Sequence, residues 1–432
     1  MASARPGAGH VSCRALPDLK HVVLFGEQEA ARGAWRYEDL MRGVGSAAVN
    51  RLASIEHTVK VDDPVNIQFT SGTTGRPKGS TLTHHGLLNN GHTQGLRSGY
   101  DRGDHVICLP SPLYHCFGSV CGVLNVLSHG QAIVFPDAGF NPLRTLEVVA
   151  KERCTSLYGT PTMFIDILAH LDEAKQKGLS VDSLNGGYMT GAPCPVALCD
   201  RLVREMGMRN LCVQYGSTEL SPMVTMSRLD QEPSQRLQNV GYVMDHVELA
   251  VVDHEGQVVP RGTDGELLAR GYGVMRGYFN DEERTKKELR ADRWYHTGDT
   301  ARIAQDGAVS IVGRTKDMII RGGENIYPTE IEKFLYTIDG VAGVYVIGVP
   351  DERMGEAVCA WVRLKEDVTG VTPETIRDAC KGKIAHYKVP QYVQIKTMSD
   401  IPMTATGKVK KNEMRAISTK ELGLEKVRSQ FN

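Results

Sequence analysis

The chain has almost no surplus of charge: fifty basic against fifty-one acidic residues leave a formal net charge of -1 over 432 residues. Without a basic excess there is no electrostatic footprint for nucleic acid or for an anionic membrane surface. No run approaches the ~20 apolar residues that cross a bilayer. The first fourteen residues hold Arg5 and Arg14 but no apolar stretch, which excludes a secretory signal and leaves only a faint case for a transit peptide. Ten cysteines include no Cys-x-x-Cys pair, and most sit in apolar runs such as "VICLP" and "LCVQYG". They read as reduced, buried thiols of an intracellular protein, neither a disulfide framework nor a metal site. The sequence also lacks H-E-x-x-H and G-x-S-x-G, so zinc hydrolysis and a serine nucleophile elbow are poor readings.

What is present is an ordinary globular composition, 41% hydrophobic and 23% charged, in a chain long enough for two or three domains. Short apolar runs ("HVVLFG", "VNIQFT", "HVICLP", "AIVFP", "TSLYGTP", "GGYMTGA", "NLCVQYG") alternate with amphipathic segments such as "PLRTLEVVAKERC" and "PVALCDRLVREMG". This alternation predicts an α/β fold of parallel βαβ layers with ligands at the carboxyl ends of the strands. From about Val240 the texture turns to short β runs broken by Gly, Asp and Pro, predicting a small antiparallel or barrel-like β subdomain over 240–315. Residues 316–432 read as a small α+β C-terminal domain. The main α/β subdomain spans 61–239, preceded by 1–60.

One stretch demands chemistry: "FTSGTTGRPKGSTLTH", residues 69–84, directly after the apolar-alternating "VNIQF". A glycine-rich loop between that strand and a helix from about Thr83 would turn successive backbone N–H groups into one concavity, which suits phosphate. Thr70, Ser71, Thr73 and Thr74 add hydroxyls, Gly72 and Gly75 add turns, and Lys78 adds a mobile charge. The order Lys78-Gly79-Ser80 rules out a Walker A loop, in which glycine precedes lysine.

The string "TSGTTGRPKG" resembles the signature of the adenylate-forming enzymes, the superfamily of acyl-CoA synthetases, luciferases and peptide-synthetase adenylation domains. Four more of its motifs follow in order: "QYGSTE" (214–219), "WYHTGD" (294–299), "GRTKDMIIRGGENIYPTEIE" (313–332) and "PMTATGKVKK" (402–411). Within the superfamily, "LYGTPTMFIDIL" and "KGKIAHYKVP" are most similar to mitochondrial medium-chain acyl-CoA synthetases. The resemblance covers about Leu16 to Met414.

The chemistry implied is activation of a carboxylate by attack on the α-phosphate of ATP. Two anions must meet, and their repulsion, about 4 kcal/mol at ~4 Å with an effective dielectric near ~20, must be offset by cations and aligned donors. The resemblance implies that the loop through Lys78 holds the β- and γ-phosphates, Thr218 a phosphate, and Glu219 a Mg²⁺, for which one carboxylate beside phosphate oxygens suffices. It implies that Tyr215 and Gly216, with Gly191, Ala192 and Pro193 of "TGAP", receive adenine, and that Asp299 and Arg314 receive the ribose. On its own Asp299 reads as a turn residue. Tyr114 and His115 match an aromatic-His position beside the acyl carboxylate, although a lone histidine on an apolar run more often belongs to a core.

Phe117, Val120, Thr160, Met163 and Met189 would line the acyl pocket; their three stretches carry no charged residue, which favours an aliphatic chain over a free amino acid. The resemblance further makes Lys408 the lysine that bridges carboxylate and α-phosphate during adenylation. It makes Lys316 the hinge, and Gly323 the point where a loop of the mobile C-terminal domain enters during transfer to coenzyme A. The expected activity is an AMP-forming acid-thiol ligase for a medium-chain fatty acid. Adenylation of an aryl or dicarboxylic acid, or an impaired nucleotide-binding protein, are the alternatives. A mitochondrial location is implied by resemblance, with no visible targeting segment, and a cytoplasmic one otherwise. Nothing here fixes an oligomeric state. The superfamily carries a substantial α/β subdomain before the region resembling "LPDLKHVVLFG", where this chain has about fifteen residues. The expectation is therefore of an N-terminal remnant over 1–60 and an aggregation-prone or less active product.

Overall fold

A computed structural model describes residues 11, 13–26, 33–70, 77–365, 368–404 and 408–427. The chain divides into two compact units, Met1–Asp63 and Pro64–Asn432. In the first, β1 (Val23–Leu24) pairs in parallel with β2 (Trp35–Arg36), and the helices Tyr37–Arg42 and Ser46–Glu56 contain no buried residue. The strand expected in "HVVLFG" is thus a two-residue pairing within this unit and no part of the main sheet.

The second unit opens with β3 (Pro64–Thr70) and β4 (Lys78–Thr83), paired antiparallel with Thr70 opposite Lys78. Here the structure corrects the strand-to-helix reading of the glycine-rich stretch: the loop closes a hairpin, and "KGSTLT" is a strand. Its glycine and lysine look like loop, but Ser80 and Leu82 are fully buried and the threonines favour the pleat. The helix His84–Arg97 follows at once, with the Thr83 side chain accepting from the Gly86 N–H at 3.0 Å.

The main sheet has seven strands, built from β5 (Val106–Cys108), β6 (Ala132–Val134), β7 (Ser156–Leu157), β8 (Gly186–Met189), β9 (Asn210–Gly216), β10 (Met223–Met226) and β11 (Tyr242–Val243). Their order is β11-β10-β9-β8-β7-β5-β6. The run β6-β5-β7-β8-β9 is parallel, as the alternating pattern predicts, and β10 and β11 add antiparallel. Helices Pro142–Glu152, Pro161–Ala169 and Val196–Met206 supply Leu146, Val149, Ile167, Leu198 and Leu202 to one fully buried core with Leu157 and Met189. Each such side chain contributes about 1.5–3 kcal/mol by leaving water. A second core stacks Tyr158 on Tyr188 with ring centroids 4.2 Å apart.

The β region past Val240 is a four-stranded antiparallel sheet of β12 (Val247–Val252), β13 (Asp264–Gly271), β15 (Tyr295–Ile303) and β16 (Val309–Arg314). Between β13 and β15 the chain leaves this sheet, and β14 (Gly277–Tyr278) pairs antiparallel with β4, which becomes the middle strand of a three-stranded sheet β14-β4-β3. The C-terminal region folds as β17 (Ile319–Arg321), β18 (Glu324–Ile326), β19 (Val341–Asp351), β20 (Gly355–Leu364) and β21 (Tyr392–Ile395) with helices Pro328–Leu335, Pro373–Cys380 and Lys411–Glu421. All ten cysteines are free thiols, eight of them buried, in keeping with the reduced pattern read from the sequence. Among the described residues no helix is long and apolar enough to cross a membrane.

Candidate functional site

The carboxyl ends of β5, β7, β8 and β9 release four of the singled-out stretches at one edge of the sheet: "PLYHCFG", "YGTP", "TGAP" and "GSTE". The antiparallel pairing of β15 with β16 sets Asp299 opposite Arg314. Arg314 Nε donates to Asp299 Oδ1 at 3.1 Å, and the Tyr215 hydroxyl donates to Oδ2 at 2.6 Å. The Asp299 side chain is 13% exposed, so both are charge-assisted bonds in a partly dry setting. Burial, then the Asp299 charge, pushes the Tyr215 pKa well above the usual phenol range, which keeps it a donor. For Arg314 burial lowers the pKa, but Asp299 and Asp317 outweigh it and the net shift is upward.

Glu219 sits on the short turn Thr218–Leu220 after β9 and is buried. Its Oε1 accepts from the Tyr278 hydroxyl at 2.9 Å and lies 3.4 Å from Lys78 Nζ. Lys78 also donates to the Tyr278 oxygen at 2.9 Å and to Glu288 Oε2 at 3.4 Å, while Tyr278 and Glu288 are 2.5 Å apart. Tyr278 stands opposite Ser80 across the β14–β4 pair, which puts it beside Lys78 two residues away on the same face. Burial first, and then Glu219, hold the Tyr278 hydroxyl protonated. Tyr278→Phe should cost about 1–3 kcal/mol of stability in urea unfolding, because buried charged groups lose a shared partner. A variant as stable as the parent would show that the hydroxyl organises nothing.

His115 Nδ1 accepts from the Phe117 N–H at 3.1 Å, which leaves the neutral ring's proton on Nε2. Its pKa is lowered, by burial and then by Lys408. Cys116 Sγ lies 3.5 Å from Thr218 Oγ1, and burial pushes that thiol up to about 11, so it is inert packing. The chain bends here through a π-helix, Phe117–Leu124, and a Cβ on Gly118 would fall on the Pro112 carbonyl, so only glycine fits. Tyr114 is 65% exposed; its carbonyl accepts from Gln68 Nε2 at 2.5 Å.

Lys408 comes from the far end of the chain. Its backbone N–H and carbonyl bond the Thr404 hydroxyl and N–H, in the segment after β21. The ammonium feels Arg314, Asp299, Asp317 and Glu219, and itself acts on His115. Crowding by protein lowers its pKa first of all, and Arg314 adds to that. More than a third of its surface nevertheless remains open, so the lysine stands in a wet cleft and the burial effect is softened by water.

Thr160 caps the helix Pro161–Ala169, accepting from the Met163 N–H at 3.4 Å. Gly191 adopts φ +88°, and a Cβ there would meet the Thr160 methyl at 3.4 Å, so "TGAP" and "YGTP" touch. Ala192 is half-buried and Pro193 exposed. At Gly216 a Cβ would land on the Pro222 carbonyl. Of the expected pocket lining, Phe117, Val120 and Met189 pack in three different cores, and with Met163 none exceeds 4% exposure. Lys316, on the turn Thr315–Asp317, and Gly323, in the β17–β18 turn with φ +87°, are both exposed. No described residue lies within 4 Å of the Cβ position of Gly323.

Ser71, Gly72, Thr73, Thr74 and Gly75 lie outside the described residues. Thr70 Oγ1 and Ser217 Oγ, however, are shut off from solvent with no hydrogen-bond partner among the described residues. Orphaned hydroxyls flanking Lys78 and Glu219 in sequence fit a ligand rich in acceptor oxygens. Sequence reasoning missed Tyr278 and Glu288. Glu288 closes the acidic and basic helix Glu282–Glu288, which reads as a solvated face, and only the turn-like "RGYFN" before it hinted at Tyr278.

Known proteins align with this arrangement. The chain is 45% identical to the medium-chain acyl-CoA ligase ACSF2, mitochondrial, of Danio rerio over 98% of its own length and 69% of that protein's. ATP-bound MatB from Rhodopseudomonas palustris superposes with a TM-score of 0.73 at 31% identity, over 83% of this chain and 69% of that one. The anthranilate CoA ligase AuaEII, solved with anthranoyl-AMP, gives a TM-score of 0.81 at 25% identity over 94% and 75% of the two chains. Residues 330–408 match the AMP-binding enzyme C-terminal domain. Since residues 10–279 match the AMP-binding enzyme model across more than half of the sequence, the chain belongs to the AMP-binding enzyme family.

Proposed function

We propose that the protein is an AMP-forming acid–CoA ligase that converts a carboxylic acid and ATP to an acyl-adenylate and pyrophosphate, then transfers the acyl group to coenzyme A. The observation that carries this reading is the convergence of Lys408 with Asp299, Arg314, Glu219 and His115, drawn from distant parts of the sequence. A cation at that point offsets the repulsion between an attacking carboxylate and a phosphate, and favours the transition state, in which the two are closest. Asp299 accepts the ribose hydroxyls, with Arg314 and Tyr215 fixing its carboxylate. Tyr215, Gly216 and the "TGAP" backbone at Gly191, Ala192 and Pro193 take the adenine.

Lys78, now shared by two carboxylates, is the charge that would turn to the β- and γ-phosphates, and Thr218 a hydroxyl toward the phosphates. Glu219 is the carboxylate that would hold Mg²⁺: it is buried, and one of its oxygens is already engaged by a cation that a triphosphate would draw away. Magnesium there would supply charge neutralisation on the phosphates. His115, with Nε2–H available, and Tyr114 would stand beside the acyl carboxylate.

The finer substrate is a medium-chain fatty acid, supported by the names of the relatives and by the uncharged stretches holding Phe117, Val120, Thr160, Met163 and Met189. A mitochondrial location is supported by the same names. Pyrophosphate release on mixing acid and ATP, with and without CoA, tests the reaction class. Octanoate-range acids should drive CoA-dependent release faster than acetate or any amino acid, and equal rates with acetate would refute the chain-length assignment.

A further inference from the structure

The C-terminal sheet touches the α/β layers through an ion pair far from the proposed reacting atoms in sequence. Arg363 on β20 places Nη1 3.7 Å from Asp166 Oδ1 on the helix Pro161–Ala169, with the two side chains 17% and 23% exposed. Across the sheet Arg363 stands opposite Gly343 of β19, where a Cβ would come within 3.5 Å of Arg363 Nε. The guanidinium therefore lies along a strand that offers no side chain at that point. Its Nε and Nη2 are shut from solvent and bonded to no acceptor among the described residues. Beside it Tyr345 of β19 bonds the Thr162 side chain, one residue past the helix start. Tyr336, at the end of the helix Pro328–Leu335, lies in the field of Arg201 from the helix Val196–Met206.

As a permanent clamp this is a poor contact. It is long, it uses a single guanidinium nitrogen, and it leaves two buried donor nitrogens unsatisfied, so desolvation offsets most of the attraction. As a contact that biases a moving body it has suitable properties: it forms in the arrangement that brings Lys408 to Asp299, and opposite charges there exclude mismatched surfaces. An interaction made in one pose alone shifts the population of that pose by its whole differential energy.

We infer that Arg363 and Asp166 form the latch that holds the C-terminal domain in the pose presenting Lys408. Both are positioning residues, and neither touches the proposed substrates. This inference rests on the proposed two-step function. Asp166 lies three residues after Met163 on one helix face, so the latch and the acyl-chain stretch share a rigid element. Parting of the ion pair is then a required event between adenylation and transfer to CoA.

The test measures the half-reactions separately, as pyrophosphate release from octanoate and ATP and as transfer of synthetic octanoyl-adenylate to CoA. Arg363→Glu and Asp166→Arg should each slow the first by about tenfold or more and leave the second within about twofold. The charge-exchanged pair Arg363→Asp with Asp166→Arg should return the first to within about threefold of the parent, as coupled sites do. If Arg363→Glu does not fold, Arg363→Met, which keeps bulk and removes charge, gives the same comparison. Lys408→Ala runs alongside. If Lys408→Ala separates the half-reactions and the Arg363 variants slow both equally or neither, the latch alone is overturned. If Lys408→Ala fails to separate them, the two-pose reading falls and the latch with it.

Discussion

Lys408→Ala should slow acyl-adenylate formation by at least about 10²–10³, the usual loss when one preorganised charge is removed from a developing anion. It should leave conversion of a supplied acyl-adenylate to the thioester near the parental rate. The reason is electrostatic: the ammonium feels Asp299, Arg314, Glu219 and His115, and its side chain is exposed, so the substitution removes charge with little loss of packing. Gly323→Leu is its complement. No described residue occupies the space beside Gly323, but its φ of +87° resists any side chain, and a leucine there should impair transfer and spare adenylation. Stopped-flow pyrophosphate release and thioester formation read the two separately. Parallel loss in both steps by both folded variants would defeat the assignment.

The pH profile carries the same signature with a defined sign. Adenylation needs the protonated lysine, and crowding plus Arg314 lower its pKa in the free enzyme. The alkaline limb of kcat/KM for ATP should therefore fall at lower pH than an ordinary lysine would allow. Bound triphosphate favours the ammonium, so the limb of kcat should lie higher. Coincident limbs would mean that another group titrates.

Asp299→Asn should have the second large effect. The carboxylate is nearly dry and receives both the Tyr215 hydroxyl and Arg314 Nε. An amide keeps the shape but loses the charge, and its NH₂ cannot accept a bond. ATP affinity should fall by about 100-fold, the worth of two charge-assisted hydrogen bonds at roughly 1.4 kcal/mol each. Stability should fall by about 1–3 kcal/mol through the unpaired guanidinium and phenol. Calorimetric ATP titration and urea unfolding measure the two effects, and unchanged ATP affinity would remove Asp299 from the nucleotide site.

Much of this was readable because strands with one residue texture announce themselves. The parallel run from "HVICLP" to "NLCVQYG" is mostly apolar, as suits strands covered on both faces, and the helices between show plain amphipathic spacing. The motif residues converge because sheet topology delivers their loops to one edge. The hairpin strand Lys78–Thr83 was not readable: glycine, lysine and serine mimic a loop, and only burial of Ser80 and Leu82 marks it as sheet. Tyr278 and Glu288 were missed for a related reason. Their importance comes from β14 crossing to pair with β4, a long-range event that no local pattern encodes. The expected acyl lining is harder to read. Apolar residues in neighbouring loops look alike whether they face a cavity or a core, and Met189 faces a core.

That excursion of β14 also bears on how such a chain can be inherited or recombined. The four-stranded sheet lends a strand to the hairpin bearing Lys78, and Met275 donates its N–H to the Glu219 carbonyl at 2.8 Å on the way. A crossover near Val240 would join one parent's hairpin to another's covering strand, and mismatches at Ser80, Tyr278 and Glu219 would be felt together. The stretch from β12 to β16 is therefore no exchangeable cassette. The turn Thr315–Asp317, with exposed residues and no strand shared across it, is the place where a foreign C-terminal domain could be grafted.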